Sequence, residues 1–158
     1  MSPTDFLALV TAVTASIANR PLGQDLADWL NTEYPADGQA YAELADACRV
    51  GVAAGWLAER EADGIRYGRI FKATPDTHGF SVDVVRMSNL AGPHHVHPNG
   101  EVDLIMPLTE GATFDGHPAG WCVYGPGTAH RPTVAGGSAL ILYLLPGGAI
   151  QFTKHEAP

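Results

Sequence analysis

A mainly β fold, a small antiparallel barrel or sandwich preceded by helices, is what this 158-residue chain predicts, on three observations. Residues 1–60 hold 13 alanines against four glycines and three prolines, whereas residues 61–158 hold 14 glycines and nine prolines. Helix-forming composition therefore gives way to turn-forming composition near residue 60. Apolar residues recur at steps of three and four in the first part, and in short runs between glycine- and proline-rich connectors in the second. Three histidines and a glutamate, His95, His97, Glu101 and His130, stand at spacings that strands and turns could bring together. The chain is long enough for one compact core, so residues 1–60 are expected to pack as a helical region on a barrel formed by residues 61–158.

Thr4 is placed to cap a first helix whose Phe6, Leu9, Val10, Val13 and Ile17 share one face. A short second helix is expected around Leu26, Trp29 and Leu30. A third would carry Tyr41, Leu44, Cys48 and Val52 on one stripe and stop near Gly55. Strands are expected over residues 65–72, 79–88, 101–107, 121–124 and 138–145. Residues 132–153 carry no charge, but Gly136-Gly137, Pro146 and Gly147-Gly148 interrupt them, and the continuous apolar run Ala139 to Leu145 suits a buried strand better than a membrane span. The N-terminus has no positive flank and Asp5 precedes the apolar run, so a cytoplasmic protein is expected. Cys48 and Cys122 lie in apolar patterns without a metal or redox spacing, which predicts buried free thiols.

The three helices followed by a hairpin turning at Asp63-Gly64 could also be read as a winged helix. Charge argues against that reading. Residues 1–72 carry six Lys and Arg against ten Asp and Glu, and residues 73–158 carry three against seven, whereas a duplex-binding surface is usually basic. No nucleic-acid partner and no membrane association are expected.

The chemistry concentrates in Pro93-His94-His95-Val96-His97-Pro98-Asn99-Gly100-Glu101 and in Gly127-Thr128-Ala129-His130. On an extended strand alternate side chains share a face, so His95 and His97 can aim at one point. The Pro-Asn-Gly turn can bring Glu101 back toward it, and His130 would complete the set from another strand. Three imidazoles and a carboxylate suit one divalent transition metal, Fe, Mn, Ni, Co or Zn, with up to two positions left for water or substrate.

These residues resemble the cupin superfamily, whose first motif places a glycine, His-x-His, a glutamate and a second glycine in order, and whose second runs from Pro-x-Gly-x-x-His to an asparagine. His95, His97, Glu101, Gly127 and His130 match. The two first-motif glycine positions hold Asn89 and Leu108, the proline position holds Gly125, and the closing asparagine position holds Val134. The departures affect turns and spare the ligands. The resemblance implies a cupin-type double-stranded β-helix, or jelly roll. Within that class, the helical N-terminus, His94 to Asp103, and Tyr124 to Val134 are similar to the 4-hydroxylaminobenzoate lyase family, across most of the chain. That similarity implies conversion of 4-hydroxylaminobenzoate to 3,4-dihydroxybenzoate and ammonia, with His95, His97, Glu101 and His130 as metal ligands.

A benzoate-like substrate calls for a cation. Beyond residue 72 the Lys and Arg residues are Arg86, Arg131 and Lys154, and Arg86 on its strand before the metal motif is preferred, although a surface arginine lying over apolar neighbours fits the same pattern. Strand alternation would turn Arg131 away from the site. Trp121, Tyr124 and Tyr143 could wall the substrate, or belong to an ordinary β core. His94 is a candidate acid or base, though a regular strand would point it opposite His95. Asp103 should share the face of Glu101, where it could orient an imidazole or carry a proton, or else turn to solvent. His78, His117 and His155 are expected to be solvated. The alternatives are an Fe(II) cupin dioxygenase acting on a small aromatic or thiol substrate, and a metabolite-binding sensor without catalysis. A homodimer is expected.

Overall fold

The computed structural model describes residues 1–153, so Lys154 and His155 lie outside the described residues. The helices α1 (Pro3–Ile17), α2 (Gln24–Glu33) and α3 (Gln39–Ala54) occupy the alanine-rich part. The cap of α1 is Ser2, not Thr4. Its hydroxyl accepts the Asp5 N–H, and the Asp5 carboxylate accepts the Ser2 N–H, a reciprocal box that leaves Thr4 inside the first turn. Phe6, Val10, Val13 and Ile17 are buried as the spacing predicts. Helix α3 ends where Gly55 adopts φ 86 and returns its N–H to the Gly51 carbonyl.

Among the described residues ten strands follow: β1 (Arg60–Ala62), β2 (Ile65–Phe71), β3 (Phe80–Ala91), β4 (His95–His97), β5 (Glu101–Pro107), β6 (Thr113–Phe114), β7 (Gly120–Tyr124), β8 (Thr128–His130), β9 (Thr133–Pro146) and β10 (Gln151–Phe152). All pairings are antiparallel. The larger sheet runs β1-β2-β3-β9-β5-β7 with β6 also on β9, and the smaller runs β10-β4-β8. The Asp63-Gly64 turn does make a hairpin, with Ala62 opposite Ile65, but the hairpin is the edge of the larger sheet and forms no free wing.

The larger sheet is covered on both faces. Val82, Val84, Val102, Leu104, Leu142, Leu144 and Trp121 pack with the three helices. The opposite face carries Val85, Met87, Ile105, Phe114, Cys122, Val134, Ile141 and Tyr143 as a second core inside the barrel. Double burial explains why β9 reads as an unbroken apolar run rather than an alternating one.

The helices are tied to the sheet by specific bonds as well as by packing. The Asn31 side-chain amide donates to the Trp121 carbonyl at 2.9 Å and its oxygen accepts the Trp121 N–H at 2.8 Å, in the manner of a neighbouring strand on the edge of β7. The Trp121 indole donates to the Tyr34 carbonyl at 3.0 Å, and the Tyr41 hydroxyl donates to the Ile105 carbonyl at 2.7 Å. Cys48 and Cys122 are free and buried, and burial pushes both thiols up to about 12.

Candidate metal centre

The smaller sheet supplies the imidazoles and the larger sheet the carboxylate. His95 on β4 lies opposite His130 on β8, so period two on β4 and the cross-strand register together gather His95, His97 and His130. Glu101 opens β5 after the turn at Asn99-Gly100, where Gly100 takes φ 87 and a Cβ would stand 2.6 Å from the Tyr124 carbonyl oxygen. Only glycine fits that turn. One ligand atom from each of the four residues lies within 4.8 Å of every other.

The donor atoms fit a cation. His95 Nδ1 donates to the Pro93 carbonyl at 3.2 Å, which leaves its Nε2 as a lone pair. The Thr128 hydroxyl donates to the Gly125 carbonyl at 2.7 Å and accepts from His97 Nδ1 at 3.1 Å. His130 Nδ1 donates to Asp115 Oδ2 at 2.5 Å. Each Nδ1 is thus engaged on the outer side and the three Nε2 atoms are turned inward, those of His95 and His130 only 3.1 Å apart, as ligand atoms gathered for one cation would be. His97 Nε2 and both Glu101 oxygens are buried without a hydrogen-bond partner, although His97 Nε2 lies only 3.2 Å from Glu101 Oε2. Buried polar atoms are seldom left this way unless an ion serves them.

Electrostatics agree. Burial, above all, lowers His95 to about 4, so its imidazole is neutral. Burial opposes ionisation of Glu101, but the neighbouring His97 and Asp103 side chains outweigh it and hold the carboxyl below its ordinary range. Burial and then the Glu101 charge push Asp103 well above the usual carboxylate range.

A cavity of about 820 Å³ opens beside the cluster, with His95 in its wall. Val85, Met87, Tyr143 and Phe152 give it apolar and aromatic surface, and Arg60, Arg69 and Arg131 line it together with Glu59, Asp63 and Asp83. Arg69 is forked onto Asp83 at 2.9 and 3.2 Å and also donates to the Gly148 carbonyl at 3.3 Å.

The proposed site residues divide. His95, His97, Glu101 and His130 converge, and Tyr143 lines the cavity. Asp103 turns inward on the face of Glu101, fully buried with Oδ1 unpartnered, but it does not line the cavity. Arg86 is not brought to the site: it is exposed, on the face of β3 opposite the cavity-lining Val85 and Met87. Trp121 faces the helices, since the alternation of β7 gives the interior to Cys122 and Tyr124. Tyr124 sits against the imidazoles without lining the cavity, and its hydroxyl donates to Asp115 Oδ2 at 2.5 Å. His94 shares a 2.5 Å hydrogen bond with Thr153 and is outside the cavity wall. His78 is not simply solvated: its Nδ1 meets the Thr14 hydroxyl at 3.0 Å, whereas His117 is exposed. Arg131 lines the cavity because β8 stops at His130, so the alternation that would have turned it away has ended.

Sequence reasoning missed Arg60, Arg69 and Asp115. The Asp115-Gly116 pair was readable as a turn, but nothing local indicated that its carboxylate reaches His130. The departure at Asn89 has a simple account: Asn89 takes φ 45, the left-handed region that asparagine tolerates, and bends β3 at its bulge where the related motif has glycine.

An antiparallel double-stranded β-helix that gathers His-x-His, a glutamate and a later histidine around one point is a cupin with a candidate metal centre. The family model for 4-hydroxylaminobenzoate lyase matches residues 8–152, and this chain belongs to that family. A 4-hydroxylaminobenzoate lyase of Nocardioides sp. (strain LMS-CY) is 36% identical over 96% of this chain and 95% of its own length. A 4-hydroxylaminobenzoate lyase of Pseudomonas putida is 32% identical over 94% of this chain and 90% of its own. Among solved structures, a Klebsiella pneumoniae protein with a double-stranded β-helix domain has a TM-score of 0.46 at 15% identity, covering 65% of this chain and 94% of that one. The polyketide cyclase RemF from Streptomyces resistomycificus has a TM-score of 0.43 at 16% identity, covering 60% and 75%. The protein is an enzyme of the lyase type.

Proposed function

We propose that this enzyme converts 4-hydroxylaminobenzoate and one water to 3,4-dihydroxybenzoate and ammonia, using a divalent transition metal held by His95, His97, Glu101 and His130. The observation that carries the reading is the coincidence, in one chain, of full-length kinship to lyases of that name and a cluster of four buried donors facing one point. The reaction balances without an outside oxidant. The N–O bond of the hydroxylamine holds the two oxidising equivalents that hydroxylate the ring, and water replaces nitrogen as ammonia leaves. When bound, the metal supplies a Lewis acid that eases departure of oxygen from nitrogen.

The chain's own residues do the rest. Val85, Met87, Tyr143 and Phe152 enclose the ring beside His95 and exclude water from it. The carboxylate of the substrate takes a cavity arginine. Arg131 is the best placed, lining the cavity next in sequence to the ligand His130. Asp103 acts through its neighbour Glu101 and does not touch the substrate. Arg131→Gln is expected to raise KM for 4-hydroxylaminobenzoate about tenfold or more, the size of a lost charge-assisted bond, and to leave phenylhydroxylamine, which lacks the carboxylate, unaffected. Equal effects on the two substrates would move the carboxylate site elsewhere, and Arg86→Gln is the inert control.

The deciding experiment is anaerobic purification with metal analysis by elemental mass spectrometry, then turnover of 4-hydroxylaminobenzoate while ammonia and oxygen are followed. Ammonia release without oxygen uptake, in proportion to a near-stoichiometric metal, is expected. Turnover that requires oxygen would establish a dioxygenase instead, and tight binding without turnover would establish a sensor.

A further inference from the structure

The geometry points to Asp115 as the positioning residue of the metal centre, the group that fixes His130 for coordination and recruits Tyr124 to hold it there. The inference rests on the metal-centre part of the functional reading and not on the substrate.

The three imidazoles are not equivalently supported. His95 is held by a backbone carbonyl and His97 by a hydroxyl, while His130 alone among them is held by a carboxylate. His130 also most needs support, since its side chain is 12% exposed where those of His95 and His97 are 2% and 0%. Asp115 Oδ2 accepts from both His130 Nδ1 and the Tyr124 hydroxyl at 2.5 Å, and Oδ1 accepts the Thr133 N–H at 2.9 Å. The backbone is pinned as well. The Asp115 N–H donates to the Thr133 carbonyl at 2.8 Å, and the flanking Phe114 and His117 exchange two bonds of 2.9 and 2.8 Å around the Asp115-Gly116 turn. Asp115 takes φ 51 there, so the chain accepts a sparsely populated backbone conformation at the residue whose carboxylate meets the ligand.

The Tyr124 ring lies 4.5 Å from His130 and 5.2 Å from His97, centroid to centroid. With its hydroxyl spent on Asp115, Tyr124 braces two imidazoles and is not a substrate wall. A carboxylate on Nδ1–H fixes the tautomer with Nε2 bare, orients the ring and increases its donor strength toward a metal.

The test is Co2+ binding to the whole chain, read by chelator competition and by the visible spectrum of the bound ion, with thermal melting of the metal-free protein as the folding control. Asp115→Asn keeps the size but offers one acceptor oxygen to three donors. It is expected to weaken Co2+ binding about 10- to 100-fold and to change the spectrum, while Asp115→Glu recovers part of both. Tyr124→Phe, which leaves the His130 bond in place, is expected to lose less than about threefold. If Asp115→Asn does not fold, Asp115→Ser carries the same expectation. Wild-type affinity and spectrum in the folded Asn or Ser variant would overturn the assignment, as would a wild type that binds no Co2+. A wild type that binds Co2+ yet turns over no hydroxylamine sinks the substrate reading alone and leaves the comparison of variants intact.

Discussion

Alanine in place of His97 is expected to abolish stoichiometric metal and ammonia release together. His97 is fully buried, its Nδ1 is fixed by Thr128, and its Nε2 has no partner of its own. Removing the ring takes one of four donors from the cluster and puts nothing in its place, so the loss should exceed the 10- to 100-fold typical of an outer hydrogen-bonding partner. The fold has little reason to fail, because the Thr128 hydroxyl keeps its bond to the Gly125 carbonyl. Metal analysis and an ammonia assay on the folded variant check this. Stoichiometric metal with full turnover in His97→Ala would remove His97 from the site.

Trp121→Ala should behave in the opposite way, costing stability and sparing chemistry. The indole is 4% exposed, belongs to the core shared with the helices, bonds to the Tyr34 carbonyl, and lies 6.4 Å from the Tyr34 ring. Truncating a buried Trp to Ala costs about 3–5 kcal/mol, which for a chain of this length lowers Tm by roughly 6–20 °C. Because the side chain faces the helices and not the cavity, kcat well below the transition should stay within about twofold of wild type. A normal Tm with depressed kcat would return Trp121 to the substrate site.

The two residues show what sequence could and could not tell. His97 was legible because its chemistry is local: period two along an extended segment, then a Pro-Asn-Gly turn, puts three of the four donors within seven residues of one another. The helices were legible for a similar reason, each carrying its apolar stripe and the third a stop signal at Gly55. Trp121 stayed open between a substrate wall and an ordinary β core because β7 is apolar on both faces, and a strand covered on both sides carries no polar phase to say which way a given side chain points. Arg131 was misread because alternation was extended one residue past the end of β8, just before Pro132. The two- and three-residue strands β1, β6, β8 and β10 are too short for a periodic signal, and pairing alone defines them. Asp115 was out of reach, since its bond to His130 spans 15 residues and depends on where two turns meet.

The Asn31 amide has a consequence for assembly. By occupying the N–H and C=O of Trp121, it denies the middle of β7 to any strand arriving from another molecule. Of the two ends of the larger sheet, the remaining one is β1, three exposed residues beside the cavity mouth. A second copy that extended this sheet would therefore have to do so at the rim of the substrate entrance, so that self-association by strand addition and access to the cavity would compete for one border of the molecule.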